Sequence, residues 1–168
     1  IEHSSGHIKF DCGKDLNSFS EEKLLKNYKN INFYDHQGTH WSPLCVHIDM
    51  WNKVGGFSEE FNPGIGSDPD FNMKLWSNGV RIFKGLNDFK VYHFASLTTR
   101  KNSKVIQNKG DNTFLKKWGF SIKFFKRFYM KTNKKYDGPL NEPIKSTSFY
   151  LNLIICKIKL IYVKLFII

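Results

Sequence analysis

The chain has 168 residues, is 40% hydrophobic and carries 16 phenylalanines. That is enough for one domain with an aromatic-rich core. Cys12, Cys45 and Cys156 are odd in number, widely spaced and form no C-x-x-C pair, so they suggest neither a disulfide framework nor a zinc site, and reduced thiols in a cytosolic protein are the expectation. The formal net charge of +11 is unevenly spread. Residues 1–100 are nearly neutral, so the basic excess belongs to residues 101–168 and points to a surface function there. Anionic lipid, nucleic acid and polyanionic glycan are the partner classes this charge admits. No charged segment followed by an apolar one opens the chain, so no signal peptide is expected.

The first thirty residues are polar. His3 and His7 lack an acid at metalloprotease spacing and read as surface histidines. Ser18-Phe19-Ser20-Glu21-Glu22 signals a short helix ending near Asn27. Asn30-Ile31-Asn32-Phe33-Tyr34-Asp35 alternates polar and apolar residues and predicts a strand. Gly38 and Pro43 bracket a loop holding His40 and Trp41. Trp41 either covers a core edge or offers a flat apolar platform of the kind sugar rings stack on.

Residues 46–54 predict a short helix with Ile48, Met50, Trp51 and Val54 inward, stopped by Gly55-Gly56. A glycine-rich loop then leads to Ser67-Asp68-Pro69-Asp70. The residue before a proline is biased away from the helical region, and proline suits the first helical position. Asp68 is thus predicted as an N-cap, with a helix from about Pro69 to Asn78 and Gly79 just beyond it. Two roles are open to Asp68. It caps the helix, or one oxygen caps while the other faces a cleft as a base. Gly64 and Gly66 would allow close backbone approach to a ligand.

Val80-Arg81-Ile82-Phe83 and Phe89-Lys90-Val91-Tyr92-His93-Phe94 predict two strands, with His93 at the end of the second. His93 there is either a structural hydrogen-bonder or a metal or phosphate ligand. The basic region starts at Thr98-Thr99-Arg100-Lys101. Residues 112–118 predict a helix broken at Gly119, and Ser121 would cap another to about Met130. Asp137-Gly138-Pro139 and Pro143 mark a flexible linker. The apolar tail holds Lys157, Lys159 and Lys164, which would cost roughly 8–10 kcal/mol deep in a bilayer. An interfacial helix with lysines reaching to headgroups, or a helix packed on a partner segment, fits instead.

Five elements in order carry a family likeness: Thr39-His40-Trp41-Ser42-Pro43, Trp51-Asn52-Lys53-Val54-Gly55-Gly56-Phe57, Gly66-Ser67-Asp68-Pro69-Asp70-Phe71, Val91-Tyr92-His93-Phe94 and Lys117-Trp118-Gly119. Over residues 30–120 the chain resembles the C-terminal half of family 2 glycosyltransferases with the GT-A fold. The resemblance implies an inverting transfer of a sugar from a nucleotide-diphosphate donor to an acceptor hydroxyl. The acceptor would be a glycan or lipid-linked group in surface polysaccharide or glycolipid synthesis. It assigns catalysis to Asp68, as general base, and Asp70, with Ser67 where the family's first acid stands. It places His40, Trp41, Gly66 and Ser67 at the substrate and His93 at a metal, with Mn²⁺ or Mg²⁺ as the expected cofactor.

No D-x-D element of the nucleotide-binding half precedes the first strand, so a truncated transferase, inactive alone, is expected. The fold expected is α/β: a partial GT-A-like mixed sheet flanked by helices over residues 1–100, then a basic helical extension (101–136), a linker (137–147) and an amphipathic tail helix (148–168). The tail implies a cytoplasmic protein in peripheral contact with the inner face of a membrane. The competing expectation is a non-enzymatic basic module for nucleic acid or another polyanion. Against it, no nucleic-acid motif is visible and the basic residues interleave with core-type phenylalanines.

Overall fold

The structure is a computed structural model that describes residues 3–4, 7–31, 34–39, 41–94 and 107–166. It is a mixed α/β arrangement, about half helical, with two small antiparallel strand pairs among the described residues. Strands β1 (His3–Ser4) and β2 (His7–Ile8) form one pair, and β3 (His36–Gln37) and β4 (Lys84–Gly85) the other. His40 and residues 98–101 lie outside the described residues, as do Asn32 and Phe33 of the first predicted strand.

Helix α1 (Glu21–Asn27) starts as expected, with Ser20 Oγ accepting from the Lys23 N–H. Helix α2 (Ile48–Val54) ends at Gly55 in the left-handed region. Met50, Trp51 and Val54 pack inward, but Ile48 is mostly exposed, a correction to its predicted burial. Helix α3 (Ser67–Ser77) begins two residues earlier than predicted. Helix α4 (Gln107–Trp118) stops at Gly119, also left-handed. Ser121 caps α5 (Ile122–Phe124), which runs on as a π turn over Phe125–Tyr129. The tail forms α6 (Thr147–Phe166). Among the described residues no helix is long and apolar enough to cross a membrane.

The core is aromatic. Phe71 of α3, Phe114 and Leu115 of α4, Phe125 and Met130 are almost wholly buried at its centre. Helix α6 lays Phe149, Cys156 and Val163 against it. These recur every seven residues, two helical turns, and so form one stripe. The opposite stripe of α6 is apolar too, with Leu151, Ile154, Ile158, Ile161 and Leu165 exposed. Leu140 of the predicted linker is buried, and its N–H donates to Arg81 O.

The predicted mixed sheet is reduced to these short pairs in the described residues. Residues 80–83 lie beside other chain segments without a continuous ladder: Phe83 O accepts from Gly38 N–H and Arg81 O from Leu140 N–H, each at 2.8 Å. Residues 89–94 are fixed by side chains instead. The Tyr92 hydroxyl accepts from Cys12 N–H and donates to Gly13 O, and its ring meets Phe19 and Phe94. Among the described residues no ladder partner stands beside 89–94, and aromatic packing on the N-terminal loop holds the segment.

The segment 35–38 binds two distant parts of the chain. Lys84 forms an ion pair with Asp35, whose carboxylate also accepts from the Asn87 N–H. Tyr136 N–H donates to Asp35 O and Gln37 N–H to Lys134 O. The hydrogen bonds from Lys84 and Asn87 hold the Asp35 carboxyl below its ordinary value of 3.8. A carboxyl depressed in the fold contributes stability above 3.8 that is lost as pH falls through its folded value. The urea midpoint of Asp35→Asn is therefore expected to change less than that of wild type between neutral pH and pH below 3.8. Equal changes in the two proteins would remove Asp35 from the acid limb.

Candidate functional site

The stretch from Phe61 to Asp70 forms a tight loop that turns directly into α3. Gly66, at φ 88°, is the N-cap residue, in a left-handed conformation that favours glycine. A Cβ on it would sit 3.0 Å from the Phe61 ring and 3.1 Å from Gly110 O, so α4 approaches here without side chains between. Ser67 closes the turn, with both its N–H and its hydroxyl donating to Gly64 O.

Asp68 therefore stands inside the first helical turn and is not the cap predicted for it. Pro69 is tolerated in the third helical position because the first N–H groups of a helix have no intrahelical partner. The Asp68 carboxylate reaches out to the preceding loop: Ser42 Oγ donates to its Oδ1 at 2.6 Å. Its Oδ2 takes no hydrogen bond among the described residues. The side chain is half-buried and retains access to solvent.

Asp70 points the other way and is fully buried. Its Oδ2 accepts from Ser58 Oγ at 2.7 Å and its Oδ1 from Trp118 Nε1 at 2.8 Å. Lys117 Nζ lies between both oxygens, 3.0 Å from Oδ1 and 3.2 Å from Oδ2, and also bonds Glu60. Burial pushes the Lys117 ammonium down, but its hydrogen bonds to Glu60 and Asp70 and their charges more than offset this and leave it above its ordinary value. Asp70 thus joins α3, α4 and the Ser58–Glu60 turn. The Gly66–Phe71 and Lys117–Gly119 elements, about fifty residues apart in the chain, meet here. Asp70 is inaccessible to a substrate as the protein stands, so the two expected catalytic acids separate into one accessible and one buried carboxylate.

Trp41 lies next to Ser42 and is 38% exposed. Lys126 Nζ sits 5.3 Å from the centre of its indole ring, a cation–π arrangement. One face of the indole is therefore covered, which narrows the predicted open platform. Trp41, Ser42, Asp68 and Lys126 form one chain of contacts from three separate segments. Ser42 and Lys126 carry no sequence signal for this, because each depends on a long-range approach.

His93 is exposed and lies outside any strand, a correction to its predicted strand-end position. Among the described residues no three His, Cys, Asp or Glu side chains stand close enough together to hold a metal ion. His93 belongs to no such group among the described residues.

The chain matches no protein-family model, no curated protein and no solved structure. The site must be read from its own chemistry. That chemistry is an accessible carboxylate oriented by a hydroxyl, next to an aromatic ring and an ammonium group.

Proposed function

We propose that this chain is the acceptor-side part of an inverting glycosyltransferase with a GT-A-like fold, and that Asp68 is its general base. The observation that supports this most is the Ser42–Asp68 hydrogen bond. It fixes one carboxylate oxygen and leaves the other for a substrate, beside a half-exposed tryptophan suited to a sugar ring. In the proposed step the acceptor hydroxyl gives its proton to Asp68 Oδ2 as its oxygen bonds the anomeric carbon. The bond from that carbon to the donor diphosphate breaks, and the diphosphate leaves with the electron pair. Ser42 keeps the carboxylate in place, and Asp70 holds the helix that carries it. A divalent cation would assist the leaving diphosphate, but no residue described here is assigned to it.

The test joins this chain to the nucleotide-binding half that the resemblance expects, and measures sugar transfer. Asp68→Asn is expected to lower kcat by about 10²–10⁴-fold while donor binding persists. Retained turnover would reduce Asp68 to a structural residue.

A peripheral membrane position fits the tail. The exposed apolar stripe of α6 is flanked by Lys157, Lys159 and Lys164, which matches an anionic lipid surface by charge as well as by hydrophobicity. Ile158→Glu is expected to weaken flotation with vesicles containing phosphatidylserine about tenfold or more, because it puts a like charge into the contact. Unchanged flotation would remove the tail as the contact.

A further inference from the structure

The basic excess of the C-terminal part has a focus. Lys123, Lys126, Arg127, Lys131 and Lys134 line an open cavity of about 730 Å³, with Asp111 the carboxylate in its lining. The first three come from α5 and its π turn, and the last two from the loop that follows. Among the described residues, none of the five cations forms an ion pair with a carboxylate. Burial lowers the pKa of Lys126, the cation that also covers Trp41.

The loop is held from behind. Lys134 O accepts from Gln37 N–H, and Tyr136 N–H donates to Asp35 O. Gly38 lies so close that a Cβ there would be 2.2 Å from Met130 O. Lys131 and Asn133 both take positive φ, 50° and 68°, unusual for residues with side chains. The strap from residues 35–38 keeps this conformation and presents Lys131 and Lys134 on a fixed wall. Like charges gathered in one concavity repel each other unless an anion enters. Ile122 and Phe128 add an apolar wall beside the cations.

We propose that this cavity is a binding site for a compact phosphate or diphosphate group, carried by an organic ligand whose carbon part lies against Ile122 and Phe128. Lysine and arginine donors clustered at this density suit an anion with several oxygens and more than one charge. The site does not depend on the transferase reading.

The test titrates the 168-residue chain with inorganic pyrophosphate by calorimetry at low salt. The Lys126→Gln/Arg127→Gln variant removes two charges from the cavity. Lys157→Gln/Lys159→Gln removes the same charge from α6 and serves as the control. The cavity variant is expected to lose about tenfold or more in affinity, and the control about twofold or less. Circular dichroism checks folding, and Lys131→Gln serves if the double variant does not fold. Dihexanoyl phosphatidate, a water-soluble lipid phosphate, separates the ligand sources. If it displaces pyrophosphate, the site takes a lipid headgroup. If it does not, the site takes a free phosphate compound. Asp68→Asn is expected to bind pyrophosphate as wild type does, so loss of the catalytic reading and loss of this site are separate results. Absence of pyrophosphate binding, or equal weakening in the cavity and control variants, would overturn the proposal.

Discussion

Replacing Asp70 by alanine is expected to lower the unfolding free energy by about 3–5 kcal/mol, the usual cost of removing one partner of a buried ion pair. Asp70 has no exposed surface and accepts from Ser58, Trp118 and Lys117. Its loss leaves the Trp118 N–H without its acceptor and takes from the Lys117 ammonium its buried partner. The Lys117 side chain is 27% exposed and can turn to water or stay with Glu60, which places the loss toward the lower end of the range. For a chain of this size that is a Tm decrease of roughly 10 °C by calorimetry. Asp70→Asn keeps the shape but not the charge and is expected to cost less. A Tm within about 2 °C of wild type for Asp70→Ala would mean that the three-way junction contributes little.

Gly110→Ala is expected to destabilise the protein, although alanine in a helix interior normally gains about 0.5–1 kcal/mol over glycine. The Cβ would lie 2.0 Å from Ile65 O and 2.6 Å from Ile65 C. These are backbone atoms in a loop fixed by the Asp70 N–H to Gly66 O bond, so no side chain can move aside. Overpacking of this kind costs about 1–3 kcal/mol and more where backbone is involved, which exceeds the helical gain. Helix α4 must draw back from Ile65–Gly66, taking Lys117 and Trp118 away from Asp70. Thermal unfolding checks the sign, and a raised Tm would show that the loop yields easily. In the transfer assay the same variant is expected to lose activity, since the displaced loop is the one that starts α3.

Helix ends with local chemistry were legible in the sequence. Ser20, Ser121, Gly55, Gly79 and Gly119 act where their residue types predict, because caps and left-handed stops depend on nearby backbone alone. The start of α3 departs from the local pattern because Gly66 and the Ser67–Gly64 hydrogen bonds turn the chain before Pro69 does. The strands at residues 80–83 and 89–94 have the right residue types but lack adjacent ladder partners among the described residues, which pattern cannot reveal. Residue type marks Asp68 and Trp41 in the sequence, whereas Ser42 and Lys126 join them only through tertiary contact. Asp70 stands in the sequence as a second acid, and burial gives it a structural place. Likewise the basic charge was visible as a total, while its gathering around one cavity depends on how the loop after α5 folds back.

That fold-back sets an order on synthesis. Residues 35–38 obtain one set of hydrogen bonds from Phe83 and its neighbours and another from Lys134–Tyr136, about a hundred residues later. A nascent chain can form the turns of α1, α2 and α3 early, but the contacts of α3 with Lys117, Trp118 and Tyr129 wait for α4 and the π turn. It cannot close the strap until residue 136 has left the ribosome, and α6 cannot cover Phe124 before residue 149 emerges. Until then the aromatic core stays open on that side, and the phenylalanine-rich face that α6 later covers is the part of this fold that waits longest for its partner.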